Sequence, residues 1–175
     1  MKRLPFSPEI LTDDQIKKKR NYGVIGQRFW QDYVMEIDYK QKKIIFSDIP
    51  LSNTDKNTIS YKRNFLIPFK VGELSIEGHI DTGSPFTILF PMKYTKAFEV
   101  SELREAGTAR SAYTTFTYSL GTITDNILMA NNEVNNLTGV FSDIIGHVNI
   151  GMRFLQDYNL KIDQKNHLIK LEKIQ

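Results

Sequence analysis

The sequence predicts a mostly β fold with short helices. Three observations carry that expectation. Apolar β-branched and aromatic residues alternate with polar ones over several short runs. Turn residues such as Gly72, Gly121 and Asn131-Asn132 separate those runs. Helical i, i+4 spacing of apolar residues is confined to segments of two or three turns.

In chain order, residues 26–33 predict a short helix with Phe29 and Tyr33 on its buried stripe. Alternation follows, with Val34, Glu36 and Asp38 on one face and Met35, Ile37 and Tyr39 on the other. A polar turn over 40–43 leads to a strand at 44–46. Residues 47–63 are polar and turn-rich and predict a linker. Residues 65–71 and 74–80 predict a hairpin around Gly72, and 87–90 a short apolar strand. Pro91 suits the first position of a helix through Phe98. The polar segment 101–112 predicts a loop, and 113–120, 122–130 and 133–141 predict strands. Residues 151–158 and 158–171 then repeat the helix, strand, turn and strand of the beginning.

Composition narrows the function classes. The 175 residues are 41% hydrophobic and 25% charged, enough to bury a core. With no Cys, disulfides, thiolate metal sites and Cys nucleophiles are excluded. No apolar run approaches the ~18 residues of a membrane span. Residues 1–20 carry six basic side chains against three acids, and the remaining 155 carry 17 of each. The basic character belongs to one end, so the basic face of a nucleic-acid binder is not expected. Pro5, Pro8, Glu9 and Asp13 interrupt any signal-peptide core, which reads as cytoplasmic if Met1 is the true start. An upstream signal peptide would instead mean export.

Self-comparison reveals a repeat. Residues 25–46 (IGQRFWQDYVMEIDYKQKKIIF) and 150–171 (IGMRFLQDYNLKIDQKNHLIKL) match without a gap at an offset of 125, with 11 of 22 positions identical. Polar matches such as Arg28/Arg153, Asp32/Asp157 and Asp38/Asp163 argue for a shared unit, since unrelated amphipathic segments would match mainly at apolar positions.

The sharpest short motif is Asp81-Thr82-Gly83-Ser84, directly after the strand that ends at Ile80. A carboxylate at the end of a buried strand needs hydrogen bonds. Gly83 lets the backbone turn an N–H toward it, and Thr82 and Ser84 add hydroxyl donors. These residue types in this order suit a holder for one acid.

Here the sequence resembles the aspartic peptidases, in both their retropepsin-like and pepsin-like forms and the bacterial members of the group. Ile80-Asp81-Thr82-Gly83-Ser84 fits the family's first signature. Residues 149–155 (NIGMRFL) fit its second, with Asn149 in place of an apolar residue. The 69 residues from Asp81 to Ile150 suit one lobe. The resemblance covers 65–175 and implies an acid-protease lobe, a closed β-barrel with short helices. It assigns Asp81 as a catalytic carboxylate. Thr82 would orient the loop by bonding across to a partner lobe, and Gly83 and Ser84 would hold the carboxylate. Ile150 and Gly151 would brace the loop from a structural ψ-loop without touching substrate. No metal or cofactor is implied. The partner is a peptide or protein substrate.

The family's reaction needs two aspartates that share a proton and a water. At ~3 Å and an effective dielectric of ~20, two carboxylates repel by roughly 5 kcal/mol, so both cannot ionise together. A second Asp-Thr/Ser-Gly is absent from the sequence. Placed by the repeat, its counterpart would fall before Met1. The chain therefore reads as a C-terminal remnant of a first lobe (1–50), a linker (51–64) and a complete lobe (65–175). The second aspartate would come from a missing N-terminal lobe or from a second subunit in a homodimer. The alternative is a noncatalytic module that binds extended peptides by strand addition. A flap over the substrate is expected within 105–118, with Tyr113 or Phe116 at its tip. His79, His147 and His167 lack metal-site spacing, Ser84 is outside a G-x-S-x-G motif, and 146–151 lacks the Lys-Ser/Thr of a P-loop. Trp30 and Tyr39 are expected to be packing residues.

Overall fold

The computed structural model describes residues 26–110 and 114–174. The basic run in 1–20, Ile25 of the repeat and Tyr113 lie outside the described residues. A first hairpin joins β1 (Val34–Asp38) to β2 (Lys43–Ser47). After β3 (Thr58–Ser60), a second hairpin joins β4 (Leu66–Val71) to β5 (Leu74–Asp81) through Gly72, whose φ of 55° suits glycine. Then come β6 (Ile88–Pro91), a 3₁₀ segment over Met92–Lys96, β7 (Arg104–Arg110) and β8 (Thr115–Ile123). Three further strands follow, β9 (Ile127–Met129), β10 (Asn132–Val134) and β11 (Leu137–Ser142). The chain ends with β12 (Val148–Gly151), one helical turn α1 (Met152–Leu155), β13 (Tyr158–Asp163) and β14 (Leu168–Lys173).

These strands form two sheets. One has five strands in the order β2-β1-β13-β14-β3, so the two hairpins of the repeat lie side by side. The other has nine, in the order β10-β9-β4-β5-β12-β6-β11-β8-β7. The mostly β character holds, but the expected closed barrel does not. Closure requires the two edge strands to pair. Here β7 pairs with β8 alone and β10 with β9 alone. The β10 edge is only three residues long, and β7 (REAGTAR) has no apolar face with which to wrap onto it.

One core joins the sheets. Ile67, Ile88, Phe90, Ile123, Met129, Phe141, Ile150, Leu160, Ile169 and Leu171 are buried in it. Phe90 and Phe141 stack at 5.5 Å across the parallel pairing of β6 with β11.

Several local expectations change. Segment 101–112 contains a strand, because a bulge between Glu105 and Gly107 lets β7 pair along β8 while its outer edge meets solvent. Gly121 does not end a strand. It lies inside β8, where a Cβ would approach Val100 Cγ1 and Leu103 Cδ2 to 2.7 Å. The linker carries β3, which extends the five-stranded sheet beside β14. The first helix is only a 3₁₀ turn over Gln27–Phe29, and Phe29 is 45% exposed. Its counterpart Phe154 is 4% exposed.

A charge network fastens the linker to the polar face of the five-stranded sheet. Lys170 Nζ lies 2.7 Å from Asp55 and 2.6 Å from Glu172, and Lys161 bridges Glu172 and Glu36. The hydrogen bonds from Lys170 hold Asp55 and Glu172 below the ordinary carboxylate range, and they raise the Lys170 ammonium. Depressed carboxylates contribute stability above their unfolded pKa and lose it as pH falls through the folded one. Lys170→Ala should therefore lower the urea midpoint near pH 7, and the gap from wild type should close below about pH 3. A gap unchanged between pH 7 and pH 3 would refute the network's role.

Tyr39 Oη is buried without a hydrogen-bond partner, and burial raises its pKa. An unsatisfied buried hydroxyl is destabilising. Tyr39→Phe should thus stabilise the protein by about 1 kcal/mol, read as a higher urea midpoint at constant slope.

Candidate functional site

The Asp81 loop is built by three strands. Ile76, Gly78 and Ile80 of β5 point into the core, which leaves Asp81 as the strand's last residue at the core's margin. β12 lies between β5 and β6, running parallel to β5 with Ile150 beside Ile80 and Gly151 beside Asp81. The two sequence signatures, 69 residues apart, therefore meet in adjacent strands.

The turn after Asp81 is held from inside. Gly83 N–H donates to Asp81 Oδ1 at 3.1 Å, while Ser84 N–H donates to the Asp81 main-chain carbonyl at 3.1 Å. Of the two residues expected to hold the carboxylate, Gly83 contacts it and Ser84 holds the backbone. Ser84 is buried, whereas Thr82 and Gly83 are exposed.

Three successive amides brace the following stretch. Gly151 N–H donates to Thr87 O at 2.7 Å, Met152 N–H to Ser84 O at 2.8 Å, and Arg153 N–H to Phe86 O at 3.1 Å. The approach is so close that a Cβ on Gly151 would lie 2.3 Å from Phe86 O. Ile150 is fully buried.

Asp81 borders two clefts. The larger, of about 610 Å³, is lined by Gly83, Phe86, Leu89, Arg110, Phe116 and Ile145, among others. Its outer wall is the β7–β8 hairpin, which occupies much of the segment expected to form a flap. Phe116 does not lie at the hairpin's tip. It pairs with Ala109, one step inside the last described pair Arg110↔Thr115, and is buried with Leu89 and Val140, 6.5 Å from the Phe86 ring. The smaller cleft, of about 400 Å³, lies between Asp81-Thr82 and the first hairpin and is lined by Trp30, Met35, Ile37, Ile44 and Phe46. Among the described residues Asp81 is the one acidic side chain that lines either cleft.

Phe86, Leu89, Arg110 and Ile145 were not singled out from the sequence, and Asn149 only as a departure from the second signature. Only the apolar 87–90 run adjoining the motif hinted at this wall. His79 and His147 meet edge-on at 4.8 Å in a different cleft, where His79 Nδ1 lies 2.9 Å from Asn64 O. His167 packs on Tyr61. Among the described residues no group of three or more His, Cys, Asp or Glu is placed to hold a metal ion, and no helix is long and apolar enough to cross a membrane.

The fold has a counterpart among solved structures. A retropepsin-like aspartic protease from Rickettsia conorii superposes with a TM-score of 0.51 and 20% identity, covering 64% of this chain and 94% of that one. At this identity the likeness is one of fold. No protein-family model matches the sequence. No curated protein matches it either.

Proposed function

We propose that residues 65–175 form one half of an aspartic-type endopeptidase site, with Asp81 as one of its two catalytic carboxylates. The observation that carries this reading is the position of Asp81. It ends a buried strand, accepts the Gly83 N–H, and opens onto a cleft with apolar walls. An extended peptide would lie between the Asp81 loop and the β7–β8 hairpin. The second carboxylate would come from a facing lobe. One carboxylate takes a proton from the shared water as that water attacks the scissile carbonyl carbon. The other, protonated, donates to the carbonyl oxygen. Thr82 reaches toward the facing lobe, Gly83 and Ser84 shape the turn, and Ile150 and Gly151 brace it. The resemblance in the sequence and the likeness of fold both support this reading.

A noncatalytic peptide-binding module is the second reading. The free edge of β7, beside the larger cleft, favours it, because an extended peptide could add there as a strand. Cleavage of an unfolded protein substrate between pH 4 and pH 7, blocked by a pepstatin-type inhibitor, is the expected result. Substrate binding without cleavage, both for the chain alone and with a facing lobe supplied, would favour the module.

A further inference from the structure

The five-stranded sheet has one apolar face, and it is fully covered over only half of its width. Register places Met35 and Ile37 of β1, with Ile44 and Phe46 of β2, on the face that carries Leu160, Ile162, Ile169 and Leu171. The β13–β14 half shares a core with the nine-stranded sheet. In the β1–β2 half Met35, Ile37 and Phe46 are only partly buried against the margin of that core and Ile44 is exposed, although all four are repeat counterparts of buried residues. Ile44 is 60% exposed and its counterpart Ile169 is 0% exposed.

The sheet is also symmetric. β1 pairs with β13 as Val34↔Asp163, Glu36↔Lys161 and Ile37↔Leu160. Exchanging every residue for its counterpart at an offset of 125 preserves that register. Glu36 and Lys161 are each other's counterparts, and they form an ion pair at 3.4 Å. A pseudo-twofold axis therefore passes through this pair. Applied to the lobe that covers β13–β14, it places a second lobe on β1–β2. The second lobe's counterpart of Asp81 would then face the smaller cleft, where Asp81 and Thr82 already adjoin Met35, Ile37, Ile44 and Phe46.

We infer that the open face of β1–β2 docks a partner lobe built like residues 65–151 that has no terminal hairpin of its own. The catalytic consequence rests on the reading of Asp81 as half of a dyad. A second copy of this chain is a poor occupant, because β13 already has β1 on one side and β14 on the other. The position that a copy's hairpin would take about the axis is filled from within.

The chain has no cysteine, so Ile44→Cys gives a single reporter thiol on this face. In the 175-residue chain we expect a monomer by sedimentation, with a thiol that reacts like a free one. A partner lobe can be supplied by fusing residues 65–149 ahead of Ile25, at the junction the repeat specifies. In that fusion the same thiol should react at least tenfold more slowly, while a Glu73→Cys control on the exposed β4–β5 turn, at the opposite end of β5 from Asp81, keeps its rate. Equal reactivity at position 44 in a folded fusion would overturn the inference. If the fusion does not fold, the chain alone decides. A thiol already protected there, or a dimer that Ile44→Asp dissociates, gives the face another occupant and overturns it. Neither readout uses peptidase activity, so this inference and the catalytic reading can fail separately.

Discussion

With a facing lobe supplied, Asp81→Asn is expected to abolish peptide hydrolysis and leave the fold intact. The amide matches the carboxylate in shape, and its oxygen can still accept the Gly83 N–H that spans 3.1 Å. Neighbouring β5 and β12 keep their register, because Asp81 joins it through the backbone. The chemistry does not survive. An amide can neither take a proton from the attacking water nor donate one to the carbonyl oxygen. One general acid–base group contributes about 10²–10⁴ in rate, and groups that act as a unit lose nearly everything when one is removed. A fall of about 10³ or more in kcat/KM is therefore expected, with the urea midpoint essentially unmoved. The wild-type rate should be bell-shaped in pH, because one carboxylate must be ionised while the other holds its proton. Retention of more than a tenth of the activity would remove Asp81 from the catalytic role. A collapse in stability would make it structural.

Much of this arrangement can be read from the sequence, but not all of it. The β4–β5 hairpin was legible because alternation and a turn glycine are local signals. The turn at Asp81 was legible because a carboxylate followed by a glycine at a strand's end is a local signal, and the hairpin repeat because polar identities stand out. Order within the nine-stranded sheet was not. Nothing local says that β12 inserts between β5 and β6, yet that insertion is what places Gly151 beside Asp81. Most of the cleft wall was hidden for the same reason, since Phe86, Leu89 and Ile145 come from separate elements. β7 was missed because an edge strand with one solvated side needs no apolar alternation. The closed barrel came from resemblance alone, and the short β10 edge and polar β7 edge do not meet to close it. Phe29 and Phe154 make the same point about burial. Identical residues in matching contexts differ because Phe154 packs on Tyr158 inside the core, whereas Phe29 meets the edge of Phe46 at the surface.

The same contrast supplies the largest expected effect on stability. Gly151→Ala should destabilise the chain by about 3 kcal/mol or more, a large part of the 5–15 kcal/mol typical of a domain. Conformation is not the cause, since φ at Gly151 is −96°, which alanine adopts freely. Space is the cause. The new Cβ would lie 2.3 Å from Phe86 O and 2.9 Å from Ser84 O, both main-chain atoms. They cannot retreat without breaking the bonds from Met152 N–H to Ser84 O and from Arg153 N–H to Phe86 O. Each broken bond adds on the order of 1 kcal/mol, and any retreat shifts the loop that carries Asp81. Gly26 is the control. It occupies the matching place in the repeat, with φ of −69°, but a Cβ there meets nothing within 4 Å. Gly26→Ala should change the urea midpoint by less than about 0.5 kcal/mol equivalent. Its cost should rise toward that of Gly151→Ala once a partner lobe lays its own loop against Gly26. Equal costs for the two substitutions in the 175-residue chain would show that the repeat's first copy is already braced as the second is.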